Sequence, residues 1–173
     1  MEQLKYPIGK FEYGKSYAQE DSKKHILIIG QFPKELKELA AKLSPDQLDM
    51  SYRPEGWTAR QVIHHVADSH INAFIRVKLT LTEDKPVIKP YKEALWAELE
   101  DVKNTPIEVS LNIIESIHAR WVVLLKTLSE KDLQRKYIHP EYNREFQLDE
   151  FLALYAWHGK HHYEHLNIIL NAR

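Results

Sequence analysis

Apolar residues recur at helical spacing along most of this chain. Ile26, Ile29, Leu36, Leu39 and Leu43 predict a first helix from near Glu20 to Leu43. Pro33 lies inside it and predicts a kink or a break. Ser44-Pro45-Asp46-Gln47 reads as a capping box with proline at the first helical position. A stronger start signal follows at Thr58, with Gln61 three residues later, and predicts a helix to about Leu81 that stops before Pro86. Tyr91 to Glu100 predicts a shorter helix. Pro106 begins another, carrying Leu111, Ile114, Ile117, Trp121, Leu124 and Leu128, and Ser129 caps a brief turn after it. The stretch 135–147 holds Pro140 and Asn143 among Tyr137, Ile138 and Phe146, which predicts a loop or a small hairpin. A last helix is expected from about Leu148 to Leu170, and residues 1 to about 18, with Pro7, Gly9 and Gly14, read as an extended lead-in. Four long helices with short accessories predict an all-α four-helix bundle, in which sites are built from inward-facing side chains.

Composition narrows the picture. A chain of 173 residues, 43% hydrophobic and 28% charged, is expected to form one domain, 1–173, with a real core. A net charge of -1 gives no electrostatic reason to expect nucleic acid or a membrane surface as a partner. No apolar run is long enough to span a bilayer, and the first residues lack a signal-like apolar stretch, so the cytoplasm is the expected compartment. The chain has no cysteine, which excludes disulfides, thiolate metal sites and a protein thiol nucleophile.

The unusual feature is histidine. Three fall in His64-His65-Val66-Ala67-Asp68-Ser69-His70 and four in Trp157-His158-Gly159-Lys160-His161-His162-Tyr163-Glu164-His165, seven of the chain's ten. Imidazole is the commonest protein metal ligand. On a helix advancing about 100° per residue, i and i+4 share a face. In the last helix Phe151, Leu154, Tyr155, Leu166 and Ile169 define the apolar face. His158 and His162 lie at its centre, His161 and His165 toward one flank. His158 and His165 are two turns apart, roughly 10 Å, too far to share one ion directly. The i,i+4 choices are therefore His158/His162 or His161/His165, and the inward face favours the first.

The first cluster is more ambiguous. Val62, Val66, Ala73 and Val77 mark the apolar side of its helix, and His70 points into it. His65 shares a flanking stripe with Gln61, Asp68, Asn72 and Arg76, a row almost free of the Lys and Glu of a solvated face and more like the wall of a cleft. The pattern slightly favours His65 over His70 as a ligand, and a buried histidine on an apolar face is more commonly a hydrogen-bonded core side chain. His64 faces away and reads as structural. His25, His118 and His139 are isolated, with surface or loop roles as the default. Trp57, Trp96, Trp121 and Trp157 read as core, and Glu164 as solvated.

Tyr52-Arg53, Gly56-Trp57-Thr58, Arg60-Gln61-Val62, His64-His65, Ala67-Asp68-Ser69-His70, Lys89-Pro90-Tyr91, Arg120-Trp121 and Tyr155-Ala156-Trp157-His158 carry a resemblance to a known family. Over nearly its whole length, from Tyr6-Pro7-Ile8-Gly9 onward, the chain resembles the DinB/YfiT-like metalloenzymes, within them the YfiT group of bacillithiol transferase-like proteins. The resemblance implies a four-helix bundle, a homodimer, and one divalent metal ion per subunit, zinc or nickel, held by His65, His158 and His162. Two departures are small: Gln147 stands where a stronger helix cap is expected, and Gly159-Lys160 replaces residues that can be histidine and serine in relatives.

Three protein ligands leave a coordination position open, as in catalytic rather than structural metal sites. Two reactions on a small-molecule substrate follow: hydrolysis by water activated at the metal, or attack on an electrophile by the sulfur of a low-molecular-weight thiol co-substrate, the reading the resemblance favours. Asp68, one turn from His65, is a candidate to orient it or take a proton. Arg76 is a candidate to bind a substrate carboxylate. Asn72 and Tyr155 are candidates to line the pocket. A third reading, a non-catalytic metal-binding stress-response bundle, stays open because fold does not fix function.

Overall fold

Four long helices dominate the computed structural model, which describes residues 2–172. They are α2 (Gln19–Ala40), α4 (Ala59–Thr82), α7 (Ile107–Leu125) and α9 (Leu148–Leu170). Helix α2 packs against α7 and α9, and α4 packs against the same two. The two helices that come first in sequence therefore sit across the bundle from one another, and the two later ones fill the gaps between them. Short helices α1 (Glu2–Lys5), α3 (Pro45–Leu48), α5 (Glu93–Trp96), α6 (Glu100–Asn104) and α8 (Glu130–Leu133) lie in the connections.

The start signals act as the sequence predicts. Ser44, Thr58 and Ser129 each accept from the backbone N–H three residues on, and the third-residue side chain returns the bond. Gln61 does more than close its box: its amide also donates to the Ala97 carbonyl at 3.0 Å and so ties the α5–α6 connection to α4. The expected hairpin is present, β1 (Lys136–His139) paired antiparallel with β2 (Arg144–Gln147), Tyr137 opposite Phe146. Asn143 takes φ 47° in its turn, where asparagine is tolerated better than most residues.

Three boundaries differ from expectation. Helix α2 runs on through Pro33 without a break. The single helix expected over 91–100 is two short ones, because Leu95, Trp96 and Leu99 are exposed and bury no face to hold one longer helix together. The lead-in begins with the helical turn α1 and is pinned to the start of α9: Gly14 N–H donates to Glu150 Oε1 at 2.6 Å and Tyr17 N–H to Asp149 Oδ2 at 2.8 Å. Those acidic residues stand in the first turn of α9, where the helix dipole favours negative charge and where Gln147 supplies no side-chain cap.

The apolar core is in two parts. One contains Ile29, Ala73, Trp121, Phe146, Phe151 and Leu152, toward the hairpin. The other contains Leu36, Val62, Ile63, Ile114, Leu166 and Ile169. Between them, at mid-height on α4, α7 and α9, come His70, His118, His158 and the residues to His165. A polar layer of imidazoles thus crosses the bundle where an apolar core would otherwise be continuous.

Candidate metal centre

Helices α4 and α9 bring His65, His158 and His162 together. One ring nitrogen from each lies within 4.8 Å of the others. His158 and His162 are one turn apart on α9 with ring centroids 4.5 Å apart, and His65 faces them across the helix contact at 5.5 and 4.8 Å. Trp57, just before α4, lies over the His65 ring at 4.6 Å. Burial drives all three imidazoles toward the neutral form: His65 is lowered to about 4, and His158 and His162 fall well below the usual histidine value. Three neutral imidazoles with ring nitrogens this close together are a donor set for a divalent transition metal, which histidine binds at about 2.0–2.1 Å. The residues therefore fit the ion.

A second trio, His161, His162 and His165, also has ring nitrogens within 4.8 Å of one another. His165 stacks on Tyr52 at 3.9 Å, and His161 on Trp157 at 4.4 Å. Both trios open on one cavity of about 400 Å³. Its walls are mostly aromatic, with Tyr6 and Tyr13 from the lead-in, Trp57, Tyr155 and Trp157, and Arg76 at one side.

The other expected site residues divide. Arg76 lines the cavity; its Nη2 reaches the Lys89 carbonyl at 3.5 Å, while Nε is buried without a partner among the described residues. Tyr155 also lines it, fully surrounded, so that burial raises its hydroxyl pKa. Asp68 and Asn72 lie outside the cavity lining; the Asn72 amide donates to the Asp68 carbonyl at 2.8 Å along the helix. Asp68 is half-buried, and burial first, then Asp101, lifts its carboxyl to about 6.

His70 is a hydrogen-bonded core histidine, 1% exposed. It bonds His118 through Nδ1 at 2.7 Å and His158 through Nε2 at 3.1 Å. His64 is structural, bonded to Ser110 and to the Thr105 carbonyl. His118, expected in a surface or loop role, is instead 2% exposed inside the bundle, and its Nδ1 donates to the Ile29 carbonyl at 2.7 Å. Nothing local in α7 marked it; its importance comes from α4 and α2. His139 likewise is buried at the cavity. Among the tryptophans, Trp121 is core, Trp57 and Trp157 face the cavity, and Trp96 is exposed, because α5 buries no face.

The DinB superfamily sequence pattern matches residues 29–166. A protein of Oceanobacillus iheyensis named putative metal-dependent hydrolase is 49% identical over 162 residues, covering 94% of this chain and 93% of its own. One of Bacillus cereus with the same description is 49% identical over 166 residues, 96% and 95% of the two chains. Among solved structures, YfiT from Bacillus subtilis, described as a probable metal-dependent hydrolase with an unusual four-helix bundle topology, superposes with a TM-score of 0.94 at 41% identity over 96% of this chain and 95% of its own. A mycothiol-dependent maleylpyruvate isomerase matches at TM-score 0.67 and 18% identity, over 84% of this chain and 60% of its own, a likeness of fold alone.

Proposed function

We propose that this chain, which belongs to the DinB superfamily, is a metal-dependent enzyme that conjugates a low-molecular-weight thiol of the bacillithiol type to electrophilic substrates. The observation that carries the metal dependence is the convergence of His65, His158 and His162 on an open cavity. The ion, zinc or nickel on the imidazole donor set, would stabilise a bound thiolate, the reactive form of a thiol.

The protein's own groups fit this division of labour. The chain has no cysteine, so no protein thiol competes for the ion and the sulfur arrives with the co-substrate. Trp57, Tyr155 and Trp157 give the cavity aromatic surface on which the apolar part of an electrophile can rest. Arg76, whose Nε has no partner among the described residues, offers a fork for a carboxylate on the thiol or the electrophile. Among the described residues Glu93, exposed at the cavity edge, is the single carboxylate lining it.

A second reading, hydrolysis, is favoured by the description of the 49%-identical relatives as metal-dependent hydrolases. One experiment separates the two. Metal-loaded protein is assayed with an electrophilic dye with and without bacillithiol, and with an ester and amide panel without thiol. Thiol-dependent conjugation above the metal-free rate supports the proposal. Turnover of an ester or amide without thiol, with no conjugation, overturns it in favour of hydrolysis. Assembly as a homodimer is part of the same proposal and is checked by light scattering.

A further inference from the structure

Five histidines bear on the centre beyond a simple count of ligands, and two backbone carbonyls decide which nitrogen each of them protonates. A carbonyl only accepts. The Ile29 carbonyl is 2.7 Å from His118 Nδ1, so that nitrogen carries the hydrogen. In a neutral imidazole the other nitrogen is then an acceptor. His118 Nε2 therefore accepts from His70 Nδ1–H at 2.7 Å. His70 Nε2 in turn accepts from His158 Nδ1–H at 3.1 Å. The chain of donors ends with His158 Nε2 holding a bare lone pair.

A second chain has the same logic. The Lys5 carbonyl, at the end of α1, accepts from His165 Nε2–H at 3.2 Å. His165 Nδ1 is then the acceptor for His162 Nδ1–H at 3.3 Å. Again the far nitrogen, His162 Nε2, is left with a lone pair. Both nitrogens of His165 are engaged, which leaves it none to give a metal, and the trio His161, His162 and His165 is not a second centre.

The Ile29 carbonyl is available for a reason written in the chain. In an α-helix it would accept from the N–H of residue 33. Residue 33 is proline, which has no N–H, and its ring crowds the carbonyl of residue 29. The proline that should have broken α2 instead frees an acceptor in the middle of the bundle. The Lys5 carbonyl is free because helix ends leave their last carbonyls unpaired.

We propose that His70, His118 and His165 are positioning residues that hold His158 and His162 in the Nδ1–H tautomer and so present both Nε2 lone pairs to the ion. This rests on the metal reading of the His65, His158 and His162 site. Partners of this kind around a centre typically change metal affinity by about 10–100-fold when removed.

The test begins on metal-free protein labelled with ¹⁵N-histidine, where long-range proton–nitrogen correlations report the tautomer of each ring. The expected result is Nδ1–H at His158, His162, His70 and His118, and Nε2–H at His165. Nε2–H at His158 or at His162 overturns the proposal. Zinc is then titrated against a chelator in the wild type, His118→Leu and His118→Gln. Leucine breaks the chain and should weaken zinc about 10–100-fold; glutamine keeps one donor and one acceptor and should recover most of the loss. Equal affinity in all three, with the fold retained by circular dichroism, also overturns it. If His118→Leu fails to fold, the tautomer spectrum still decides. A wild type that binds no zinc yet shows the expected tautomers would instead sink the metal reading of the site, so the two failures are told apart.

Discussion

Gly159 of α9 lies against the ring of Phe32 on α2, and a Cβ placed on Gly159 would meet three ring atoms at 3.0–3.1 Å. Phe32 in turn packs against His70 and His118, with ring centroids 5.5 and 5.8 Å away. Alanine at 159 would gain about 1 kcal/mol of helix propensity but overpack a site whose neighbour is 4% exposed and cannot swing out, a cost of about 1–3 kcal/mol. Gly159→Ala is expected to be destabilising by about 1 kcal/mol in urea unfolding. A gain in stability would show that Phe32 yields freely.

Stability of the metal-free protein should fall with pH through a defined window. His65, His118 and His165 titrate at about 4 in the folded chain, chiefly because they are buried, and near 6.5 when unfolded. Between those values the unfolded chain binds more protons, so acid favours unfolding. Each such histidine contributes a slope of up to about 1.4 kcal/mol per pH unit. Asp68, raised to about 6, acts in the opposite sense, since its folded form takes up a proton first. One carboxyl is outweighed by three imidazoles. Urea midpoints should drop steadily from pH 6.5 to 4; a flat or rising series would contradict the burial.

The lead-in that lends Tyr6 and Tyr13 to the cavity is anchored through charge. Glu150 has 4% of its side chain exposed, accepts from Gly14 N–H, and pairs with Arg144 Nη2 at 2.5 Å. Arg144→Ala leaves that carboxylate buried and unpaired, a loss on the order of 3 kcal/mol. Thermal unfolding should show it, together with a raised KM. An unchanged KM would mean that Tyr13 takes no part in binding.

Thr58 opens the helix that carries His65, and its capping box satisfies two backbone donors. Thr58→Ala should cost about 1 kcal/mol. Chemical denaturation checks the figure, and Thr58→Asp should restore most of it; no loss in the alanine variant would mean water caps the helix equally well.

Much of this architecture is legible in the sequence, and the exceptions have physical causes. The caps at Ser44, Thr58 and Ser129 are local devices, so their residues announce them. His158 and His162 were visible because α9 has one strongly apolar face and they sit at its centre. Helix α4 offers less contrast: His64, His65, Val66 and Ala67 are all buried in succession, so both flanks of the helix are interior and the pattern only slightly favours His65 over His70. His118 is hidden from the sequence pattern for the opposite reason. It stands alone in α7, and its partners are 48 residues away on α4 and 89 away on α2. Pro33 predicts a kink or a break by its local effect, whereas the packed bundle keeps the helix unbroken and uses the acceptor that the proline frees.

The central claim is that His65, His158 and His162 together hold one metal ion. Elemental analysis of the purified wild type beside His65→Ala, His158→Ala and His162→Ala tests it most directly. The expected result is one ion per subunit in the wild type and loss of most of it in each variant, with the helical fold retained. Stoichiometric metal in all three variants would contradict it.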